Sequence, residues 1–167
     1  LLGTGREGRK SEAVAKSILK IAEKRSDITP IFADVRDYPQ SVTEGLSPEL
    51  KKTWNNTVNS ADGMVIISPE YNHGYPGELK MLLDSAYDAY KGKPVGICGV
   101  SNGPIGGARM MEQLKLVLSA FQMIIINAAV YTADVNTLFD ENGDIKNGEK
   151  WEGRVNGMLN QVLLYIT

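Results

Sequence analysis

Cysteine and histidine are almost missing from this chain: 167 residues hold one of each, Cys98 and His73. A lone cysteine excludes an intramolecular disulfide framework, and one thiol with one imidazole is too few for the usual zinc ligand sets. Long apolar runs are missing too. The richest stretch, Met123–Ile126, is stopped by Asn127, far short of the roughly 18 residues a membrane-spanning helix needs. Charge of one sign is not in excess: 18 basic and 20 acidic residues leave a net charge of −2, which argues against a chain-wide nucleic-acid or polyanion role. The opening shows no secretory leader; Leu1-Leu2 runs straight into a glycine-rich basic loop. It lacks an initiator methionine and looks like the end of a strand, so the expectation is a native chain with several residues upstream.

What is present is a globular mixture, 43% hydrophobic and 23% charged. The length fits one domain, residues 1–167, on a prior of roughly 100–200 residues per domain. With the scarce cysteine, this describes a reducing, cytoplasmic setting. Helical and strand patterns alternate from end to end. Ser11 stands where an N-cap would start a helix over Glu12–Lys24, with Val14, Ile18, Ile21 and Ala22 on one face. Ile28–Ala33 is a short apolar segment whose Pro30 cannot donate to a ladder, which confines it to a sheet edge. Ser47-Pro48-Glu49 is a helix start, with a capping hydroxyl, a proline in the first turn and an acid at the positive dipole end. That helix is expected to run to about Ser60.

Gly63–Ser68 is a continuous apolar run, the pattern of a strand buried on both faces, and Pro94–Val100 and Ile124–Val130 read as second and third buried strands. Helices are expected at Gly77–Tyr90, Gly107–Phe121 and Lys150–Tyr165. Strands separated by helices predict βαβ units and a doubly wound parallel sheet, with Leu1-Leu2 the stub of a first strand. In such a sheet the ligand lies outside the carboxyl ends of the strands. Three loops follow those ends, and all are rich in glycine, proline and polar groups.

The first, Gly3-Thr4-Gly5-Arg6-Glu7-Gly8-Arg9-Lys10-Ser11, satisfies G-x-G-x-x-G. A dinucleotide loop binds pyrophosphate mainly through backbone N–H groups. Here Thr4, Arg6, Arg9 and Ser11 supply charge and hydroxyls better matched to a terminal phosphate dianion. Asp34 is poorly placed as the acid a dinucleotide fold needs. A solvated turn is the plain alternative. The second loop, Ser68-Pro69-Glu70-Tyr71-Asn72-His73-Gly74-Tyr75-Pro76-Gly77, offers backbone donors and acceptors to the edge of a flat heterocycle, or is a surface loop with a buried tyrosine. The third, Ser101-Asn102-Gly103-Pro104-Ile105-Gly106-Gly107, allows close backbone approach, or is an ordinary strand-to-helix turn.

In order and spacing these loops resemble the NAD(P)H-dependent FMN reductase family, which includes azo, quinone and chromate reductases. The resemblance rests on the first loop, on Pro69-Glu70-Tyr71-Asn72 followed by Gly77-Glu78-Leu79-Lys80 and Asp84, and on Gly92-Lys93-Pro94-Val95 leading to Ser101–Arg109. It covers the chain to about residue 130. It implies a flavodoxin-like three-layer α/β sandwich with a five-stranded parallel sheet in the order 2-1-3-4-5. It also implies FMN as cofactor, NAD(P)H as co-substrate, and a flavin, quinone, azo or similar small acceptor reduced in ping-pong fashion.

By that resemblance Thr4, Arg6, Arg9 and Ser11 hold the FMN phosphate. Pro69, Glu70, Tyr71, Asn72 and His73 border the isoalloxazine, and Ser101, Asn102 and Gly103 close its other side. Since the flavin carries the chemistry, no catalytic side chain is assigned. Family members are usually homodimers or homotetramers, with Tyr75, Tyr87, Tyr90 and Arg109 the candidates for subunit contact. The competing classes are a flavodoxin-type electron carrier, disfavoured by the arginines of the first loop and the near-neutral charge, and a non-catalytic FMN-binding regulatory protein. Elsewhere Cys98 fits a core thiol, Trp54 and Trp151 fit helix anchors, and Asp140-Glu141-Asn142-Gly143-Asp144 fits a polar turn without EF-hand spacing. No partner nucleic acid, membrane or resident metal is expected.

Overall fold

Burial periodicity organises the elements in the computed structural model, which describes residues 1–141 and 143–166. In helix α1 (Ser11–Glu23) the buried set Val14, Ala15, Ile18, Ile21 and Ala22 forms one stripe. The N-cap is Lys10, not Ser11; the serine is the first helical residue. Helix α2 (Pro48–Ser60) starts as its sequence signal predicts, with Ser47 Oγ accepting from the Leu50 N–H at 3.3 Å. Strand β1 (Met64–Pro69) leads into helix α3 (Gly77–Asp84), which is six residues shorter than expected. The Ser85 carbonyl accepts from the Asn55 side chain, and Tyr87–Tyr90 forms a separate 3₁₀ turn. That turn seats Tyr90 in the core, where Trp54 Nε1 donates to its hydroxyl at 2.9 Å.

Strand β2 (Pro94–Val100) is buried along its whole length and is followed by helix α4 (Ala108–Ala120). The expected strand Ile124–Val130 is present as two pieces, β3 (Ile124–Ile125) and β4 (Val130–Thr132), both parallel to β2. A short helix α5 (Val135–Leu138) and the long helix α6 (Gly148–Leu164) complete the chain. Among the described residues no helix is long and apolar enough to cross a membrane.

The sheet therefore has four strands rather than the expected five. Pairing continues past β1 only as isolated parallel bridges, from Ile67 to Leu2 and from Leu2 to Asp34. Leu2 N–H donates to Ala33 O at 2.8 Å, and Val35 N–H donates to Leu2 O at 3.1 Å. Ile28–Ala33 forms no ladder, and this part of the chain meets Leu2 only at the Ala33 carbonyl, the Asp34 bridge and the Val35 N–H. The order of neighbours is still Asp34, Leu2, β1, β2 and the β3/β4 pieces, but the strand expected at Ile28–Ala33 is not formed.

Helices cover both faces. Trp54, Leu79, Leu82, Met110, Met111 and Leu114 pack with Ile66, Val95 and Ile97 on one side. Val14, Ile18, Trp151, Val155 and Met158 pack with Leu2, Ile67, Cys98 and Val130 on the other. This three-layer arrangement leaves the carboxyl ends of the strands to the loops. The acidic turn after α5 closes as a small hairpin, Phe139 bridging Ile145, with Asn142 outside the described residues. No group of three metal-ligating side chains occurs among the described residues.

Candidate functional site

The first two loops are locked together by a buried hydroxyl. Thr4 is fully buried, and its Oγ1 donates to Glu78 Oε1 at 3.0 Å. The same oxygen therefore accepts from the Tyr71 hydroxyl at 3.0 Å and from the Arg6 N–H at 3.3 Å. Glu78 Oε1 also accepts from the Gly5 N–H at 2.9 Å. A carboxylate in the first turn of α3 thus anchors a loop more than seventy residues earlier in the chain. Glu78 lies within the motif carrying the family resemblance, but sequence reasoning gave it no role; its signal was position, one residue into a helix opened by Pro76-Gly77.

Arg9 and Arg6, expected side by side on a ligand, point to different partners. The Arg9 side chain is 3% exposed. Its Nη1 donates to Asp34 Oδ1 at 2.8 Å and to the Thr4 carbonyl, its Nη2 to Asp34 Oδ2, and its Nε to Glu12 Oε2 at 3.2 Å. These bonds raise the Arg9 pKa further above its ordinary value. Burial opposes ionisation of Asp34, but the Arg9 guanidinium and the Arg36 N–H outweigh it and hold the carboxyl below the usual aspartate range. Arg36 in turn straps the loop from outside, Nε to Gly5 O at 3.1 Å and Nη2 to Arg6 O at 2.7 Å. Asp34, set aside as a dinucleotide acid, is the loop's anchor.

Arg6 is exposed, its guanidinium 5.7 Å from the centre of the Tyr71 ring, and among the described residues no carboxylate pairs with it. Ser11 is 2% exposed, and its Oγ has no hydrogen-bond partner among the described residues. It sits in the first turn of α1, whose N-cap makes no side-chain bond, so the helix presents uncapped N–H groups at its positive end. A buried hydroxyl left unpaired carries a desolvation cost that a bound acceptor removes.

In the second loop, Tyr71 and Gly74 exchange both backbone hydrogen bonds at 2.9 Å around Asn72 and His73. The central residues have φ of 47° and 73°, the signature of a type I′ turn. Asparagine tolerates this region; histidine is strained there, and such strain clusters at ligand clamps. Both side chains are exposed. Pro69 ends β1, and the Glu70 N–H donates to Val100 O at 2.9 Å, tying this loop to the end of β2. The Glu70 carboxylate, 6% exposed, accepts from Arg109 Nη2 at 2.9 Å and from the Met110 N–H at 3.3 Å. It fixes the N-terminus of α4 from within. Of the four expected subunit-contact residues, Tyr90 is excluded by its full burial against Trp54, and Arg109 is engaged by Glu70.

The third loop folds back over its own strand. Gly106 and Gly107 have φ of 60° and 84°. A Cβ on Gly106 would stand 2.7 Å from Thr132 N, and one on Gly99 would stand 2.5 Å from Gly106 O. Only glycine allows this approach. Ser101, whose N–H donates to Thr132 O at 3.0 Å and whose Oγ donates to Gly103 O at 3.1 Å, is pinned to β4, while Asn102 is exposed.

All twelve predicted site residues thus fall at one end of one parallel sheet, ten on loops, with Ser11 opening α1 and Pro69 ending β1. Thr4, Arg9 and Glu70 have their side chains turned inward as struts; Arg6, Ser11, Asn72 and Asn102 are uncommitted. This is an α/β protein whose candidate site residues gather at its strand carboxyl ends. The family profile for NADPH-dependent FMN reductases matches residues 1–137, and the chain belongs to that family. A NAD(P)H-dependent FMN reductase of Schizosaccharomyces pombe is 32% identical over 133 residues, covering 74% of this chain and 66% of the relative. A quinone reductase of Escherichia coli is 32% identical over 155 residues, covering 87% and 82%. The fold matches that of FerB, a flavoenzyme NAD(P)H:(acceptor) oxidoreductase of Paracoccus denitrificans, with a TM-score of 0.82, 22% identity, and coverage of 98% and 95%.

Proposed function

We propose that the three loops hold FMN and that the protein passes reducing equivalents from NAD(P)H to a small acceptor of the flavin, quinone or azo class. One observation carries the reading: Thr4, Tyr71 and Glu78 lock two loops together, leaving Arg6 exposed over Tyr71 and the buried Ser11 Oγ, unpartnered among the described residues, in the first turn of α1. A phosphate dianion satisfies that hydroxyl, the Arg6 guanidinium and the helix-end N–H groups at once. Arg9 serves this site through the loop's shape, because its guanidinium is already committed to Asp34. Pro69, Glu70, Tyr71, Asn72 and His73 are assigned to one border of the ring system, where the I′ turn fixes the backbone. Ser101, Asn102 and Gly103 are assigned to the other.

FMN, when bound, supplies the hydride chemistry. The protein's part is to bind, orient and leave room for two substrates in turn, and no side chain is given an acid–base role. The reading places the protein in the cytoplasm, where NAD(P)H is available, as a homodimer or homotetramer with Tyr75 and the half-exposed Tyr87 in the contact. The test is spectroscopic. Purified protein should carry flavin absorbance, bleach in a single anaerobic phase with NADH or NADPH, recover its colour with a quinone, and give parallel-line steady-state kinetics. Flavin that neither nucleotide bleaches would turn the reading toward an electron carrier, and protein that takes up no FMN would overturn it.

A further inference from the structure

The carboxylates that hold the site loops are not all held alike. Asp34 and Glu12 each face the Arg9 guanidinium, and Glu70 faces that of Arg109. Glu78 pairs with no cation among the described residues. Lys80, two positions on, is taken by Asp84 at 2.6 Å. Glu78 Oε1 instead gathers two neutral donors of the first loop, the Gly5 N–H at 2.9 Å and the Thr4 hydroxyl at 3.0 Å. A backbone N–H and a hydroxyl converging on one anionic oxygen are what an anion-binding loop offers its ligand. Glu78 is half-buried, so solvent and salt screen its charge only in part.

We propose that Glu78 is a built-in anion that competes with a ligand's phosphate for the first loop, and so sets how strongly the site favours FMN over unphosphorylated flavin. Thr4 and Gly5 directly precede Arg6, the guanidinium this loop leaves uncommitted, so a phosphate drawn to Arg6 meets the carboxylate at close range. Like charges repel there, and two donors cannot serve the carboxylate and the phosphate at full strength together. Before a ligand arrives, the same charge holds the loop in shape through stronger hydrogen bonds than a neutral acceptor makes. One charge therefore has two effects of opposite sign. Its removal should loosen the folded apoprotein and tighten the grip on a dianion, whereas loss of a plain strut would weaken both. The FMN side of this inference rests on the function proposed above; the competition for phosphate rests on the loop's own donors.

Two variants separate charge from support. Glu78→Gln removes the charge and keeps an acceptor oxygen in place; Glu78→Asp keeps the charge and shortens the reach. Urea unfolding of apoprotein reads the loop's stability, and fluorescence titrations with FMN and riboflavin read its grip. Glu78→Gln should lower the unfolding midpoint and bind FMN about tenfold tighter than wild type, the scale of one like charge removed within about a Debye length of a dianion. Its riboflavin affinity should stay within about twofold. Glu78→Asp should lose stability and gain no FMN affinity. FMN binding that is unchanged or weaker in Glu78→Gln, or that tightens equally in Glu78→Asp or for riboflavin, would overturn the competition and leave Glu78 a strut. If neither wild type nor variant takes up FMN, the flavin reading fails and inorganic phosphate decides the rest. Added against chloride at constant ionic strength, it should then raise the unfolding midpoint of Glu78→Gln more than that of wild type, and equal shifts would overturn the competition too.

Discussion

Removing the Arg9 guanidinium tests whether the first loop is held from within or exists only to grip a ligand. With Arg9→Ala, Asp34 keeps one donor among the described residues, the Arg36 N–H at 3.0 Å, and loses a two-pronged guanidinium; the Thr4 carbonyl loses its donor as well. Both partners are well shielded, the side chains 3% and 14% exposed, so solvent does not replace the lost contacts freely. Breaking a buried pair by removing one partner typically costs 3–5 kcal/mol. The Glu12 contact is about one-third exposed and contributes little, so the expected loss is about 3 kcal/mol, near the lower end of that range.

Urea unfolding of apo-protein measures it, and a double-mutant cycle with Asp34→Ala should return a coupling above about 1 kcal/mol. The acid limb gives an independent check. Because Asp34 is depressed in the folded state, the unfolded chain binds the extra proton. The stabilisation is complete above the ordinary aspartate pKa of about 3.9 and disappears as pH falls through the lower folded value. Wild-type protein should therefore lose more stability below about pH 4 than Arg9→Ala does. A loss under about 1 kcal/mol, with matching acid limbs for the two proteins, would refute the strut and return Arg9 to the ligand.

Three further outcomes separate the roles of neighbouring residues. Arg6→Ala should weaken FMN by roughly 1.5–3 kcal/mol and leave both riboflavin affinity and the unfolding midpoint nearly unchanged; equal losses for FMN and riboflavin would make Arg6 structural. Burial pushes the Cys98 thiol up to about 12, so alkylation at pH 8 should proceed only at the rate of unfolding, and fast labelling of folded protein would contradict its placement. His73→Ala should leave the rate of flavin bleaching by NAD(P)H within a few-fold, because the exposed imidazole tips a turn and holds no proton the reaction needs; a loss beyond about a hundredfold, the low end of general acid–base effects, would overturn that.

What the sequence made legible was whatever local chemistry decides. The Ser47-Pro48 helix start, the fully buried β2 and the placement of three loops at one sheet end all followed from propensity, period and the βαβ rule. Element ends decided by distant partners did not follow. The expected helix over Gly77–Tyr90 stops at Asp84 because Tyr90 belongs to Trp54 and the Ser85 carbonyl to Asn55, contacts that cross 36 and 30 positions and leave no local trace. The break between β3 and β4 falls at residues 126–129, around the Asn127 that interrupts the apolar run. Its Ala128 N–H is taken by the Gln161 side chain of α6 at 2.8 Å rather than by the ladder.

The same distinction governs the site. Residue type and loop position identify Thr4, Arg6, Arg9 and Ser11 as donors at a strand end, but whether a donor faces a ligand or the protein depends on acceptors elsewhere in the chain. Asp34 claims Arg9 across 25 positions and Glu78 claims Thr4 across 74, while nothing described claims Arg6 or the Ser11 hydroxyl. An arginine with two carboxylates near it cannot add its full charge to a phosphate, so the inward pair subtracts from the apparent strength of the motif and adds to its rigidity. The loop's binding power then lies in fewer side chains, held more firmly, and in the N-terminus of α1. Pre-organisation of this kind lowers the entropy lost when a ligand is ordered. The phosphate site thus depends on the buried Arg9–Asp34 pair for its shape and on Arg6 for its charge, and substitutions at the two arginines should have opposite signatures in unfolding and in binding.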